Sequence, residues 1–139
     1  MQDYLLQDIV VGLKHSFEAE ITESHMQKFL DISGDNNPMH MDAKYAKSKG
    51  MKGRVVYGML TSAFYSTLVG VYIPGKNALL HSIDVGFIKP VFIGDKLIIE
   101  GVVSSVNELF HQIEVKASIR NQNSEKISRA KIKIGLLNE

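Results

Sequence analysis

Between Arg54 and Lys76 no side chain carries a charge. The window is long enough to cross a bilayer, but Gly58, Thr61, Ser62, Ser66, Thr67 and Gly70 lower its hydropathy and Pro74-Gly75 closes it. The better account is a helix over residues 59–73, buried inside a soluble domain, with Gly58 at its start. A helix apolar on nearly every side must be enclosed, so the rest of the chain has to supply the cover. With 139 residues in all, one domain spanning 1–139 has to provide it.

The flanking segments suit that task. Residues 10–21 set Val11, Leu13, Phe17, Ala19 and Ile21 at an approximate period of two, which predicts a strand. Thr22 then offers an N-cap and Glu23 a first-turn acid, and Met26, Phe29, Leu30 and Ile32 follow at helical spacing, predicting a helix over 23–33 that stops at Gly34. The run Gly34-Asp35-Asn36-Asn37-Pro38 favours turn geometry and cannot continue it. A second short helix, capped by Asp42, is expected over 42–48, and a glycine-punctuated connection over 50–54. From Ala78 the texture changes to β-branched or alternating stretches at 79–92, 96–106, 110–119 and 126–136, separated by turns such as Gly94-Asp95 and Asn121-Gln122-Asn123. Four consecutive strands predict an antiparallel meander. The class is α+β, a curved antiparallel sheet wrapped around the 59–73 helix, which is the hot-dog arrangement. Edge strands of such a sheet are commonly paired with a second subunit, so a homodimer is expected.

Composition narrows the function. The 16 Lys plus Arg against 15 Asp plus Glu leave a net charge of +1, without the basic patch that a nucleic-acid binder advertises. With no cysteine there is no disulfide framework, thiolate metal site or cysteine nucleophile, which suits a reducing cytoplasm. The first residues include Asp3 and Asp8 where a signal peptide needs a basic start, so no export or membrane segment is expected.

Chemistry concentrates in two places. In Ser33-Gly34-Asp35-Asn36-Asn37-Pro38-Met39-His40 a carboxylate precedes an imidazole on a segment stiffened by Pro38. An Asp and a neutral His sharing one water can deprotonate it and protonate a carbon, as reversible hydration of a double bond requires; the same residues also make a good turn. Gly58 begins the buried helix, where unpaired amides and the positive dipole end suit an anion or a polarised carbonyl oxygen, although a glycine there also simply permits close packing. Tyr57 and Ser66 lie on or beside that segment, and Ser66 either meets a ligand or bonds back to a helical carbonyl.

The run from Phe29 to His40, with Ala46 after it, resembles the signature of the (R)-specific enoyl-CoA hydratase, or MaoC-like dehydratase, family. Val55-Val56-Tyr57-Gly58-Met59-Leu60 is similar to the family's entry into the central helix, Pro74-Gly75-Lys76 to its end, and the stretch from Phe87 to Asp95 to its strand and turn. The resemblance implies a hot-dog fold and an acyl thioester substrate on coenzyme A or an acyl-carrier protein. The implied reaction is reversible hydration of a trans-2-enoyl thioester to the (R)-3-hydroxyacyl thioester. It makes Asp35 the general base toward water and His40 the group that binds that water and protonates the α-carbon. The amide at Gly58 would hold the thioester oxygen, Ser66 would lie near the active site, and Asn37 would hold the loop or orient the pair. Polarising the thioester carbonyl lets negative charge develop during attack at the β-carbon, so no metal or redox cofactor is needed. One departure is Tyr57, where many members carry His. A hot-dog thioesterase and a noncatalytic acyl-thioester binding subunit are the alternatives. His15 and His111 read as surface residues in strands, His25 as a first-turn helix residue, His81 as a structural histidine and Asp95 as turn chemistry, while Met59, Phe64, Tyr65 and Tyr72 read as core.

Overall fold

A computed structural model describes residues 1–137. The alternating stretches become strands β1 (Lys14–Glu20), β2 (Ala78–Phe87), β3 (Lys96–Asn107), β4 (Gln112–Arg120) and β5 (Lys126–Leu136). They form one five-stranded sheet, antiparallel throughout, in the order β1-β3-β4-β5-β2. Among the described residues, a 3-10 turn, Leu6–Asp8, precedes β1, and four α-helices accompany the sheet: α1 (Glu23–Ser33), α2 (Pro38–Met41), α3 (Ala43–Ser48) and α4 (Gly58–Thr67), which runs on into a π-helical turn, Leu68–Tyr72.

Period-two burial organises the sheet. Ile113, Val115, Ala117 and Ile119 of β4 are buried while the residues between them are partly or wholly exposed, and Leu97, Ile99 and Val103 repeat the pattern on β3. These inward faces meet Tyr65, Leu68 and Val69 from α4 and its continuation in one apolar cluster. At Gly101 a Cβ would lie 2.7 Å from Leu68 Cδ2, so the missing side chain lets the helix seat on β3.

Three expectations need correction. The four C-terminal strands are not a simple meander: β3, β4 and β5 are consecutive neighbours, but β2 pairs with β5, and β1 takes the free edge of β3. The reason lies in the stretch expected to extend β2 to residue 92. It leaves the sheet after Phe87, Pro90 has no amide to donate, and Val91 O accepts from Val56 N at 2.8 Å while Phe92 bridges Val55. The strand expected over 10–21 begins only at Lys14, because Gly12 adopts φ +96° and Leu13 N turns back to Val10 O at 3.1 Å. The central helix is not covered on every side within one chain. Met59 is 66% exposed, and Ala63 and Ser66, at the i+4 and i+7 positions of the same face, are exposed as well.

Candidate active site

The site begins where α1 stops. Thr22 caps the helix, its Oγ1 accepting from His25 N at 3.2 Å, and Gly34 ends it in the left-handed region at φ +70°. Ser33 Oγ donates to Phe29 O and in turn accepts from Asp35 N, which turns the chain off the helix and projects the Asp35 side chain. Asp35 Oδ1 accepts from Asn37 N at 3.2 Å, and Asn37 Oδ1 accepts from Met39 N at 2.9 Å. Asn37 therefore caps α2, with Pro38 at the position where a missing amide costs nothing. The stretch read as a turn through Pro38 closes into a single helical turn, Pro38–Met41, and that turn carries the imidazole.

His40 is fixed from two directions. Its Nδ1 lies 2.7 Å from Val55 O; a carbonyl only accepts, so Nδ1 carries the proton and Nε2 faces Asp35. Nε2 stands 4.0 Å from Asp35 Oδ2, too far for a direct hydrogen bond and close enough for both to contact one atom placed beside that line. The carboxylate is about half exposed and the imidazole largely covered. Arg54, which the sequence reading passed over, ties the turn down: its Nε donates to His40 O at 2.7 Å and its guanidinium pairs with Glu23 on α1.

Tyr57 joins the two halves. Its ring, 3% exposed, packs 4.2 Å from the His40 ring and 4.7 Å from that of Phe29, and its hydroxyl donates to Asp35 O at 2.8 Å. Burial raises the Tyr57 pKa above its ordinary value, the Asp35 carboxylate raises it further and Arg54 pulls the other way. The phenol thus stays a neutral donor through the physiological range. The next residue, Gly58, opens α4. Tyr57 gives that helix no side-chain cap, and the amides of Gly58 and Met59 have no acceptor among the described residues. A Cβ at Gly58 would come within 2.9 Å of Phe87 Cε1, so the glycine leaves the helix start open against that ring.

Two cavities meet here. One of about 280 Å³ lies toward Val55, Thr61 and Ile88, and one of about 370 Å³ toward Phe29, Asp35 and Met59; His40, Gly58 and Phe87 line both. The structure thus brings Asp35, His40, Tyr57 and Gly58 together, with Asn37 behind them. Ser66 is not among the lining residues; it lies two turns along α4 on the exposed face. The hydroxyls nearest Gly58 are those of Thr61 and Ser62, which donate to Gly58 O at 2.7 and 3.0 Å. Arg54, Val55 and Phe87 were missed because their roles come from chain segments far apart in sequence. Arg54 alone carried a signal, as the charge bordering the uncharged segment.

Three of the remaining histidines have local side-chain partners. His81 sits at the β2 bulge, its Nδ1 2.9 Å from Gln112 Nε2; His15, half-buried rather than at the surface, meets Tyr4 Oη at 3.0 Å. His25 Nδ1 accepts from Thr22 N, and His111 occupies a turn at φ +48° rather than a strand. Asp95 does serve its turn, accepting from Phe92 N at 2.9 Å. Tyr65 is core, its hydroxyl 2.7 Å from Ser128 Oγ. Among the described residues no three His, Cys, Asp or Glu side chains cluster as metal ligands, and no helix is long and apolar enough to cross a membrane.

The fold and this site have known counterparts. The family described as "MaoC like domain" matches residues 9–124, and the chain belongs to that family. The (R)-specific enoyl-CoA hydratase of Aeromonas caviae is 30% identical over 102 residues, 73% of this chain and 76% of that protein. A mitochondrial 3-hydroxyacyl-[acyl-carrier-protein] dehydratase of Arabidopsis thaliana is 32% identical over 81 residues, 58% of this chain and 46% of that protein. Among solved structures, the unliganded R-hydratase PhaJ1 from Pseudomonas aeruginosa superposes with a TM-score of 0.92 at 28% identity, covering 99% of this chain and 88% of the other. The architecture is therefore the hot-dog fold shared by these hydratases.

Proposed function

We propose that this chain, a hydro-lyase by family, adds water reversibly across the double bond of a trans-2-enoyl thioester to give the (R)-3-hydroxyacyl thioester. The observation that carries the reading is the Asp35–His40 pair. Its imidazole tautomer is set by Val55 O and its Nε2 and Oδ2 stand 4.0 Å apart, beside the uncapped start of α4. A water held by both groups gives its proton to Asp35 as its oxygen bonds to the β-carbon. The electron pair of the double bond moves toward the thioester, and the proton taken from the water returns to the α-carbon through Nε2 of His40, so the pair ends the cycle in the protonation state in which it began. The oxygen of the thioester carbonyl gathers charge during this step, and the Gly58 amide offers it a donor at the positive end of a helix dipole. Tyr57 and Asn37 hold the pair in register, and Ser66 stands apart as a substrate contact that a second subunit would complete. The steps are proton transfer, addition of the water oxygen to the β-carbon and carbonyl polarisation, so the reaction as written draws on no cofactor.

The experiment follows loss of the conjugated enoyl absorbance when the protein meets crotonyl-CoA, with free thiol measured in parallel. Absorbance loss without thiol release, and a product of R configuration, is the expected result. Thiol release would assign a thioesterase instead, and saturable binding with neither change would assign a noncatalytic binding subunit.

A further inference from the structure

Helix α2 is too short to hold itself. A helix of one turn leaves its last carbonyls without intrahelical partners. At His40 O the amide that a continuing helix would supply is Lys44 N, and that amide donates to Asp42 Oδ1 instead, in the cap of α3. Arg54 takes the empty place, its Nε donating to His40 O at 2.7 Å in a charge-assisted bond. Val55 completes the clamp, its N donating to Met39 O at 3.0 Å and its O receiving His40 Nδ1 at 2.7 Å. Both contacts of Val55 use its backbone, which any residue would keep. Only the contact from Arg54 depends on which side chain stands there.

The guanidinium is itself held. Its Nη1 lies 2.5 Å from Glu23 Oε1 in the first turn of α1, so one side chain spans two helices. Glu23 is 68% exposed and Arg54 only 25%. An ion pair with so exposed a partner adds little to stability, and its consequence is geometric. Helix α1 delivers the carboxylate from its far end, where Gly34 stops it and Asp35 N turns back to Ser33 Oγ. From its near end, through Glu23 and Arg54, the same helix holds the backbone that carries the imidazole. A planar guanidinium donates from Nε and Nη1 in fixed directions at once, which an ammonium on a flexible stem does not.

We propose that Arg54 and Glu23 are positioning residues for the hydration described above, a reading on which this inference rests. Arg54 replaces the helical bond that α2 cannot make, and Glu23 fixes the guanidinium. Helix α1 thereby becomes a strut that keeps His40 Nε2 and Asp35 Oδ2 at their separation of 4.0 Å. Neither Arg54 nor Glu23 lines the two cavities at His40, so both act on the imidazole and not on the substrate.

Kinetics on crotonyl-CoA, urea midpoints and the ring-nitrogen NMR signals of His40 test this together. Arg54→Lys keeps the charge and loses the two-way geometry; it should lower kcat about tenfold or more, with KM changed less than about twofold. Glu23→Gln should lower kcat severalfold while its urea midpoint stays close to that of the wild type. Because Glu23 acts only through Arg54, Glu23→Gln should change nothing further in an Arg54→Gln background. In the wild type the His40 ring should report one imidazole protonated at Nδ1, and both Arg54 variants should shift or broaden those signals at native circular dichroism. Wild-type kcat in folded Arg54→Lys overturns the proposal, and so do additive losses in the double variant or unchanged His40 signals. Where Arg54→Lys does not fold, Glu23→Gln at its exposed position decides, and wild-type kcat there overturns the proposal. A wild type that hydrates no enoyl thioester, with His40 signals that still move in Arg54→Gln, supports the clamp and counts against the hydratase reading alone.

Discussion

Tyr57 shows how much one side chain can organise. Its hydroxyl holds the Asp35 backbone while its ring supports His40, so the carboxylate and the imidazole are positioned against the same surface. Tyr57→Phe keeps the ring and deletes the hydroxyl. It is expected to cost about 1 kcal/mol of stability in denaturant unfolding and to lower kcat several-fold, with KM changed less, because Asp35 loses its anchor and the pocket keeps its walls. Tyr65 plays a purely structural part, and its pKa gives that part a pH signature. Burial pushes the phenol up to about 12, against which the Ser128 hydrogen bond works only partly. Below pH 10 folded and unfolded chains both keep the proton; between 10 and about 12 only the folded chain does, so stability falls as pH rises through that window. Tyr65→Phe should be less stable at neutral pH, where it leaves Ser128 unpaired, and should show a shallower alkaline loss in thermal melts collected across pH 9–12.

The elements divide into those the sequence announces and those that only the fold explains. Helix α1 was legible to the residue because its start and stop, Thr22 and Gly34, are local chemistry, and β5 because buried and exposed residues alternate from Ser128 to Ile134. Helix α2 was not: Asn37 and Pro38 read equally well as a turn, and the choice is made by contacts from Val55 and Arg54, 15 and 14 residues further along the chain. Strand order was hidden for a similar reason, since β2 and β5 look alike as sequences and their pairing is settled by where residues 88–92 leave the sheet. The site was half legible. Asp35, Asn37, His40 and Gly58 stand in a recognisable pattern, while Ser66 was placed by analogy along a helix whose exposed face one chain cannot cover. Two substitutions test these elements. Asn37→Ala removes the α2 cap and should cost about 1 kcal/mol together with a larger fall in kcat than in stability, read by comparing turnover with urea midpoints. Gly101→Ala inserts a methyl against Leu68 and Val115 and should destabilise by about 1–3 kcal/mol while leaving KM unchanged.

At the scale of the whole molecule, an apolar border runs along one edge of the sheet. The edge strand β2 exposes Leu79, Leu80, Ile83 and Phe87, and the face of α4 that carries Met59, Ala63 and Ser66 is exposed too. An open apolar edge invites pairing with another chain. We propose that a second copy covers it, which would bury the helix face the uncharged segment demands and bring Ser66 against a partner's surface. Ile83→Lys is expected to give a monomer of lower activity in sedimentation and turnover measurements; an unchanged dimer would place the interface elsewhere. Hydration as proposed turns on Asp35 and His40 together. The direct test is kcat/KM for crotonyl-CoA hydration by the Asp35→Asn variant beside the wild type, with circular dichroism confirming the fold. Loss of a general base predicts a fall of about 10²–10⁴-fold in an intact protein; a folded variant that hydrates at the wild-type rate would contradict the mechanism.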